Sequence, residues 1–402
     1  MSQPEPPLPF GLTEEALASA TAEPDPDSLA AATRLRRRFG PELAAAALHQ
    51  VALRRQATVK FGADAARLFF TRAGLEQATR SVVADHHARR FVAAGVRRVV
   101  DLGCGIGADA LAFTRAGLEV VAVERDPEVA AVAAANLGDR ATVICADAEE
   151  AAGDLLTPGV GVFCDPARRD ARGRLWRVED FSPSWGLVLD LLDGRRTAGV
   201  TLGPALPHGL IPPGAEAEWV SDRGDVVEVG LWGGPGADAG ERAALVRPDR
   251  SAGWHRLSTV PGPRLAVRAL GRYLLEPDGA VIRSGGIAQL GRTLDAGLLE
   301  EHLAYLTGDA EAYTPFATTF TVREWLPYDR KALRRWVAAH EVGRLEIKQR
   351  GVAVEVARLR RALRPAGPNQ ATLIISRTPR GTVVAVADRL VAPHESDGAS
   401  ET

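Results

Sequence analysis

Four carboxylates in the first half of the chain stand where they could act on a common ligand. Asp101 sits in the short apolar run Val99-Val100-Asp101-Leu102 and is followed by three glycines in the stretch DLGCGIGAD. Glu124 closes the next apolar run, Val120-Val121-Ala122-Val123, about twenty residues past the glycines, the distance at which an acid takes both hydroxyls of a ribose. Asp147 follows the strand-like Ala141-Thr142-Val143-Ile144-Cys145, and Asp165 follows Val160-Gly161-Val162-Phe163-Cys164. The run around Val99 reads as a buried parallel strand. Gly103, Gly105 and Gly107 then allow a tight turn and a close backbone approach to a ligand. Such glycines also serve ordinary strand-to-helix turns, so the flanks decide. A pyrophosphate prefers bare amides at a helix N-terminus and would be repelled by Asp101, whereas a cationic ligand would be favoured there.

Asp165 opens Asp165-Pro166-Ala167-Arg168-Arg169. Ligands of open α/β sheets bind beyond the carboxyl ends of the strands, which puts Asp165 on the same rim as Asp101 and Glu124. There it could orient or deprotonate an acceptor atom, with the carbonyls around Pro166 taking hydrogen bonds from an exocyclic amine. Arg168 and Arg169 could hold phosphate or a base edge. The plainer reading is a strand end with solvated arginines. Trp176, Phe181 and Ser182-Pro183-Ser184-Trp185 offer a stacking face for a base or a cover for the sheet.

The elements that must carry these residues follow in order. Residues 1–9 are proline-rich and expected to be disordered. Thr13 caps a first helix, Asp27-Ser28 a second running through Leu35, and a third covers Pro41 to Arg55. Their helical apolar spacing predicts a small bundle packed on the next domain, with a grip on substrate as the alternative. Gly74 to Phe91 is predicted as one helix, with Gln77, Thr79 and Arg80 near the ligand or in solvent. His86 and His87 are adjacent, point about a hundred degrees apart on a helix and cannot chelate one metal together, so no metal site is expected. A helix from Asp126 to Asn136 separates the second and third strands. Gly199 to Pro204 gives a fifth strand, Trp219-Val220 with Val226 to Trp232 an antiparallel edge, and Arg242 to Val246 another strand. Beyond Pro261 the chain changes character: a strand and helix start from Tyr273 to Arg283, helices near Gly286 to Arg292 and Asp295 to Leu303, then strands and helices alternating to a closing hairpin, Thr372 to Ala387.

At 402 residues the chain is too long for one ordinary domain. Its 46% apolar content suffices for sizeable cores, and a net charge of −2 carries no information about partners. Locally the balance differs: Arg330 to Arg364 holds eleven Lys or Arg against three Glu, a net of +8, which suits a polyanion or a solvated pair of helices. Cys104, Cys145 and Cys164 lack paired spacing, excluding a disulfide framework or zinc site. With no apolar run of membrane-spanning length and no leader-like start, a cytoplasmic protein is expected.

The stretch DLGCGIGADA resembles motif I of the class I S-adenosylmethionine-dependent methyltransferases, whose acid faces the aminoacyl end of a sulfonium cofactor. With the LEQATRS stretch, VERDP, DPARR, YLLEPDGAVIRSG, EIKQRGVAVE and GPNQATLIISR, residues 56 to about 390 resemble a bacterial family that joins such a domain to a C-terminal THUMP-like domain. The resemblance implies an α/β fold: a helical N-terminal region (1–55), a Rossmann-like domain with a seven-stranded, mostly parallel sheet (56–260), an α+β THUMP-like domain (261–392) and a disordered tail (393–402). It implies S-adenosylmethionine bound by Asp101, Gly103, Gly105, Glu124, Arg125, Asp147 and Ala148, and chemistry at Asp165, Pro166 and Arg168. Asp147 would reach the adenine amino group; an N-cap of the next helix explains it equally well. The expected activity is methyl transfer to a nucleobase nitrogen of RNA. Related amino-methyltransferases carry Pro-Pro and a stacking aromatic where this chain has Pro166-Ala167-Arg168. A small-molecule or protein methyltransferase, and a non-catalytic RNA-binding or cofactor-sensing module, stay open as alternatives.

Overall fold

The computed structural model describes residues 8–168 and 178–391. The proline-rich start, Arg169, Trp176 and the predicted tail therefore lie outside the described residues, apart from Leu8 and Pro9. The chain forms two compact units, Met1–Ala217 with Val229–Glu241, and Glu218–Glu228 with Arg242–Thr402.

In the first unit, α1 (Glu14–Thr21), α2 (Leu29–Phe39) and α3 (Pro41–Phe61) open the chain. Thr13 and Ser28 cap α1 and α2 by accepting the Ala16 and Ala31 amides at 3.2 and 3.1 Å. The third helix runs six residues past the predicted Arg55, because Ala57 and Phe61 continue its buried face. Leu17, Leu35, Val51 and Leu53 share one core with Leu111, Phe113 and Phe163 of the sheet domain, as a packed bundle requires.

The predicted helix from Gly74 to Phe91 is two helices, α4 (Arg72–Gln77) and α5 (Ser81–Ala93). Ala78 and Arg80 between them are extended, with ψ of 137° and 136°. Then follow β1 (Arg98–Leu102), α6 (Ala108–Arg115), β2 (Glu119–Glu124), α7 (Pro127–Leu137), β3 (Thr142–Cys145), α8 (Ala148–Leu155), β4 (Gly161–Cys164), the two-residue β5 (Ala167–Arg168) and β6 (Phe181–Ser182), α9 (Trp185–Leu191) and β7 (Ala198–Leu202). The parallel order is β7-β4-β1-β2-β3. Strands β4 and β7 are buried along their whole length, which is why they read as continuous apolar runs rather than alternating ones.

The hairpin β8 (Glu216–Asp222) and β9 (Asp225–Gly233) turns through Arg223 and Gly224, both at positive φ. Residues 229–233 lie antiparallel on β7. Strands β10 (Arg242–Arg247) and β11 (His255–Ser258) add to this edge, so the sheet has nine strands rather than the seven expected. The extra β11 is short and largely polar, which hides it from a reading of apolar runs.

The second unit adds a seven-stranded sheet from β12 (Tyr273–Pro277), β13 (Gly297–Leu298), β14 (Leu306–Gly308), β15 (Ala317–Pro327), β16 (Val342–Arg350), β17 (Asn369–Thr378) and β18 (Gly381–Arg389), in the order β13-β14-β12-β15-β18-β17-β16. Its helices are α10 (Gly279–Ser284), α11 (Ile287–Thr293), α12 (Arg330–Ala339) and α13 (Val356–Leu363). The helix expected from Asp295 to Leu303 is absent: Asp295 is left-handed (φ 46°) and Gly297-Leu298 pair with Leu306-Thr307 instead. One sheet face packs Leu345, Leu373 and Val386 against Leu333, Val337, Leu359 and Leu363 of α12 and α13. The other buries Leu274, Tyr305, Phe320 and Ile374.

Candidate functional site

The ends of β1 to β4 and the turns that follow them surround one cavity of about 540 Å³, within the roughly 300–1,000 Å³ typical of small-molecule sites. Its glycine turn needs its glycines: Gly103, Gly105 and Gly107 have φ of 82°, 56° and 84°. The amides of Gly103 and Cys104 both donate to the Val123 carbonyl at 2.9 Å, tying the turn to the end of β2. Glu124 receives the Gly105 N–H on Oε2 at 3.1 Å and the Asp126 N–H on Oε1 at 2.9 Å. Its carboxylate is thus oriented by backbone and keeps lone pairs for a ligand.

Asp101 is 1% exposed and its Oδ2 has no hydrogen-bond partner, although the carboxylate accepts the Ala110 N–H. Burial first, then the charges of Asp109, Asp165 and Glu124, push its carboxyl well above the usual carboxylate range. An unmet buried acceptor costs about 1–3 kcal/mol. The site is therefore complementary to a donor-bearing cation, and S-adenosylmethionine carries a cationic sulfonium and an amine. Burial and the acids at 101 and 124 also raise the Cys104 thiol well above its ordinary value, so it stays neutral.

Asp147 caps α8, accepting the Glu149 amide at 2.8 Å, and it lines the cavity together with Ala148. Arg125 lines it too, and its Nη1 donates to Ser182 Oγ at 3.0 Å, linking the end of β2 to the loop before α9. Asp165 is an exposed lining residue at the tip of β4. Asp101, Gly103, Gly105, Glu124, Arg125, Asp147, Ala148 and Asp165 therefore meet on one cavity. Pro166 is buried and does not line it. The Arg168 backbone pairs with Phe181, and its side chain lies outside what is described. Gln77 and Thr79 line the cavity, whereas Arg80 does not.

Sequence reasoning passed over Asp109, which lines the cavity with its Oδ1 2.8 Å from the Nδ1 of buried His87. An acid in the first helical turn after the glycines was the available signal. Of the preceding segment it weighed Gln77, Thr79 and Arg80 as ligand neighbours but passed over Thr71, Ala73 and Gly74, which also line the cavity, because α4 is too short to show a period.

In the second unit, α12 and α13 bury Leu333, Val337, Leu359 and Leu363 and expose Arg330, Lys331, Arg334, Arg335, Arg358, Arg360, Arg361 and Arg364. Among the described residues none of these eight cations has an ion pair.

Family models match three stretches: one described as a methyltransferase domain over residues 100–155, one described as THUMP domain-like over 317–389, and a domain of unknown function over 14–57. Uncharacterized S-adenosylmethionine-dependent methyltransferases of Mycobacterium tuberculosis strains CDC 1551 and H37Rv are each 31% identical over 372 residues, 89% of this chain and 99% of theirs. A crystal structure from Porphyromonas gingivalis W83, described as a methyltransferase, has a TM-score of 0.71 at 20% identity over 94% of this chain and 99% of that one. At that identity the likeness is one of fold.

Proposed function

Because the chain belongs to the S-adenosylmethionine-dependent methyltransferases, we propose that it methylates a base nitrogen of RNA at the cavity beyond β1 to β4. The observation that carries the RNA assignment is the set of eight exposed cations on α12 and α13, without ion pairs among the described residues, in a chain whose net charge is −2. A row of unneutralised guanidinium groups suits a phosphate backbone. The match of residues 317–389 to a THUMP-like domain supports the same reading.

S-adenosylmethionine, when bound, supplies a methyl group on an electrophilic sulfonium. In this reading Asp101 takes the aminoacyl end, where its unmet oxygen meets a cationic amine. Gly103 and Gly105 admit the ligand close to the backbone, Glu124 takes the ribose hydroxyls, and Arg125, Asp147 and Ala148 border the adenine. Asp165 accepts a hydrogen bond from the attacking nitrogen and takes its proton as the N–C bond forms and the S–C bond breaks. The backbone at Pro166 stiffens that strand tip, and Arg168 follows it in sequence as a cation for a phosphate.

The deciding experiment is transfer of tritiated methyl from the cofactor into RNA prepared from cells lacking the protein. The expected result is labelled RNA, abolished by Asp165→Ala. Label recovered in protein or in a small molecule, with none in RNA, would refute the proposal.

A further inference from the structure

Three side chains of one helix grip the backbone of the segment that walls the cavity. Gln50 of α3 is buried and makes a pair of bonds to Phe70: its Nε2 donates to the carbonyl at 2.7 Å and its Oε1 receives the amide at 3.1 Å. Arg54 Nε donates to the Leu68 carbonyl at 2.9 Å, and its guanidinium lies 5.0 Å from the centre of the Phe69 ring. Lys60 Nζ donates to three carbonyls, Leu75 at 2.8 Å, Glu76 at 2.7 Å and Ala78 at 2.8 Å.

The last of these has a clear physical purpose. Helix α4 is only six residues long and the chain leaves it extended at Ala78, so its final carbonyls have no helical partners. An ammonium carries three donors, and here all three are used on that helix end. The segment so held supplies Thr71, Gly74, Gln77, Ala78 and Thr79 to the cavity.

Asn136 of α7 also fastens the start of this segment. Its Oδ1 accepts the Phe69 amide at 2.7 Å, and its Nδ2 donates to the carbonyls of Phe69 and Ile106 at 3.0 and 2.9 Å. The fit is tight at the glycine turn: a Cβ on Gly74 would stand 2.4 Å from Ile106 Cγ2.

We propose that the N-terminal helices are a working part of the cofactor site, with Lys60 a positioning residue that sets cofactor affinity by holding Gln77 to Thr79 against the cavity. Lys60 stands just past the stretch, 14–57, that matches a domain of unknown function. This role of Lys60 rests on the reading that the cavity takes S-adenosylmethionine.

The test uses the full chain with Lys60→Met and Lys60→Arg, titrating S-adenosylmethionine calorimetrically and following hydrogen exchange of residues 75–80. Lys60→Met is expected to bind about tenfold more weakly or worse, with faster exchange confined to that segment. Lys60→Arg can still donate to the same carbonyls, so its affinity should return to within about threefold of the parent. A folded Lys60→Met with parental affinity overturns the proposal, as does exchange that rises evenly through the chain. If Lys60→Met fails to fold, Lys60→Gln is judged by the same two criteria. A parent protein that binds no cofactor refutes the cavity reading itself, whereas parental binding that Lys60→Met leaves unchanged refutes only the role of α3.

Discussion

Replacing Asp101 with Asn should make the ligand-free protein more stable and the cofactor complex weaker. The substitution keeps the shape of the side chain and removes its charge. In the parent, Oδ2 is buried without a partner and faces the fields of Asp109, Asp165 and Glu124. An amide there removes the repulsion from those carboxylates and the cost of burying a charge, relieving about 1.4 kcal/mol for each pK unit by which the parent carboxyl is raised. A unit of this size gains about 2–4 °C per kcal/mol, so the melting temperature should rise by several degrees.

The pH dependence fixes the sign. A carboxyl whose folded pKa is raised holds its proton longer in the native state than in the unfolded chain, where it titrates near about 3.9. Parent stability at this position is therefore present below that value and is lost as pH rises toward the raised folded pKa. Asp101→Asn lacks that loss, so its advantage should widen from about pH 4 toward neutrality. Cofactor affinity should move the other way, by about tenfold to a hundredfold, because a hydrogen bond to a charged group contributes about 1.5–3 kcal/mol. Scanning calorimetry across this pH range, with cofactor titration, tests both halves. A ligand-free variant less stable than the parent, or one that binds the cofactor equally well, refutes the assignment of Asp101 as the cation seat.

Glu124→Ala removes the acceptor of two backbone amides together with the expected ribose contact, and calorimetric titration should show about tenfold or greater loss of cofactor affinity. Asn136→Ala leaves the Phe69 amide and the Phe69 and Ile106 carbonyls unmet in the interior, and urea unfolding should show a loss of about 2–4 kcal/mol. Charge reversal of Arg360 and Arg361 should weaken an electrophoretic shift of total RNA. It should also flatten its salt dependence by about 0.7 in log–log slope for each phosphate no longer neutralised. An unchanged shift would return the two helices to mere solvation.

What the sequence disclosed follows from how each feature is encoded. The glycines after Asp101, the acids ending apolar runs and the caps at Thr13, Ser28 and Asp126 are local signals, and the structure has each of them in the element expected. The break at Ala78 was hidden because the apolar positions on either side keep helical spacing, while the partners of the displaced carbonyls come from Lys60, some fifteen residues earlier. The helix expected near Asp295 failed for the opposite reason: Leu298 and Leu299 have helical neighbours in sequence but are taken by the sheet edge and its core. The roles of Gln50 and Asn136 are equally non-local, since a polar residue on a buried helix face declares only that it needs a partner.

Each unit carries its own local charge pattern. Six carboxylates line the cavity: Asp101, Asp109, Glu124, Asp126, Asp147 and Asp165. Such a cluster favours a cationic cofactor and, for the same reason, repels phosphate. A polyanionic substrate cannot be held by that rim alone, because each phosphate brought there meets like charge. If RNA is the substrate, its backbone must be gripped by a different surface, and the reacting base must be the part that enters. The cations of α12 and α13 are such a surface, without ion pairs among the described residues. A net charge of −2 thus conceals two opposed local fields, one suited to a sulfonium and one to a phosphate backbone. This predicts a dissociation of salt effects: added salt should loosen RNA strongly, while it changes cofactor affinity far less, because the buried acids are screened much less than exposed arginines.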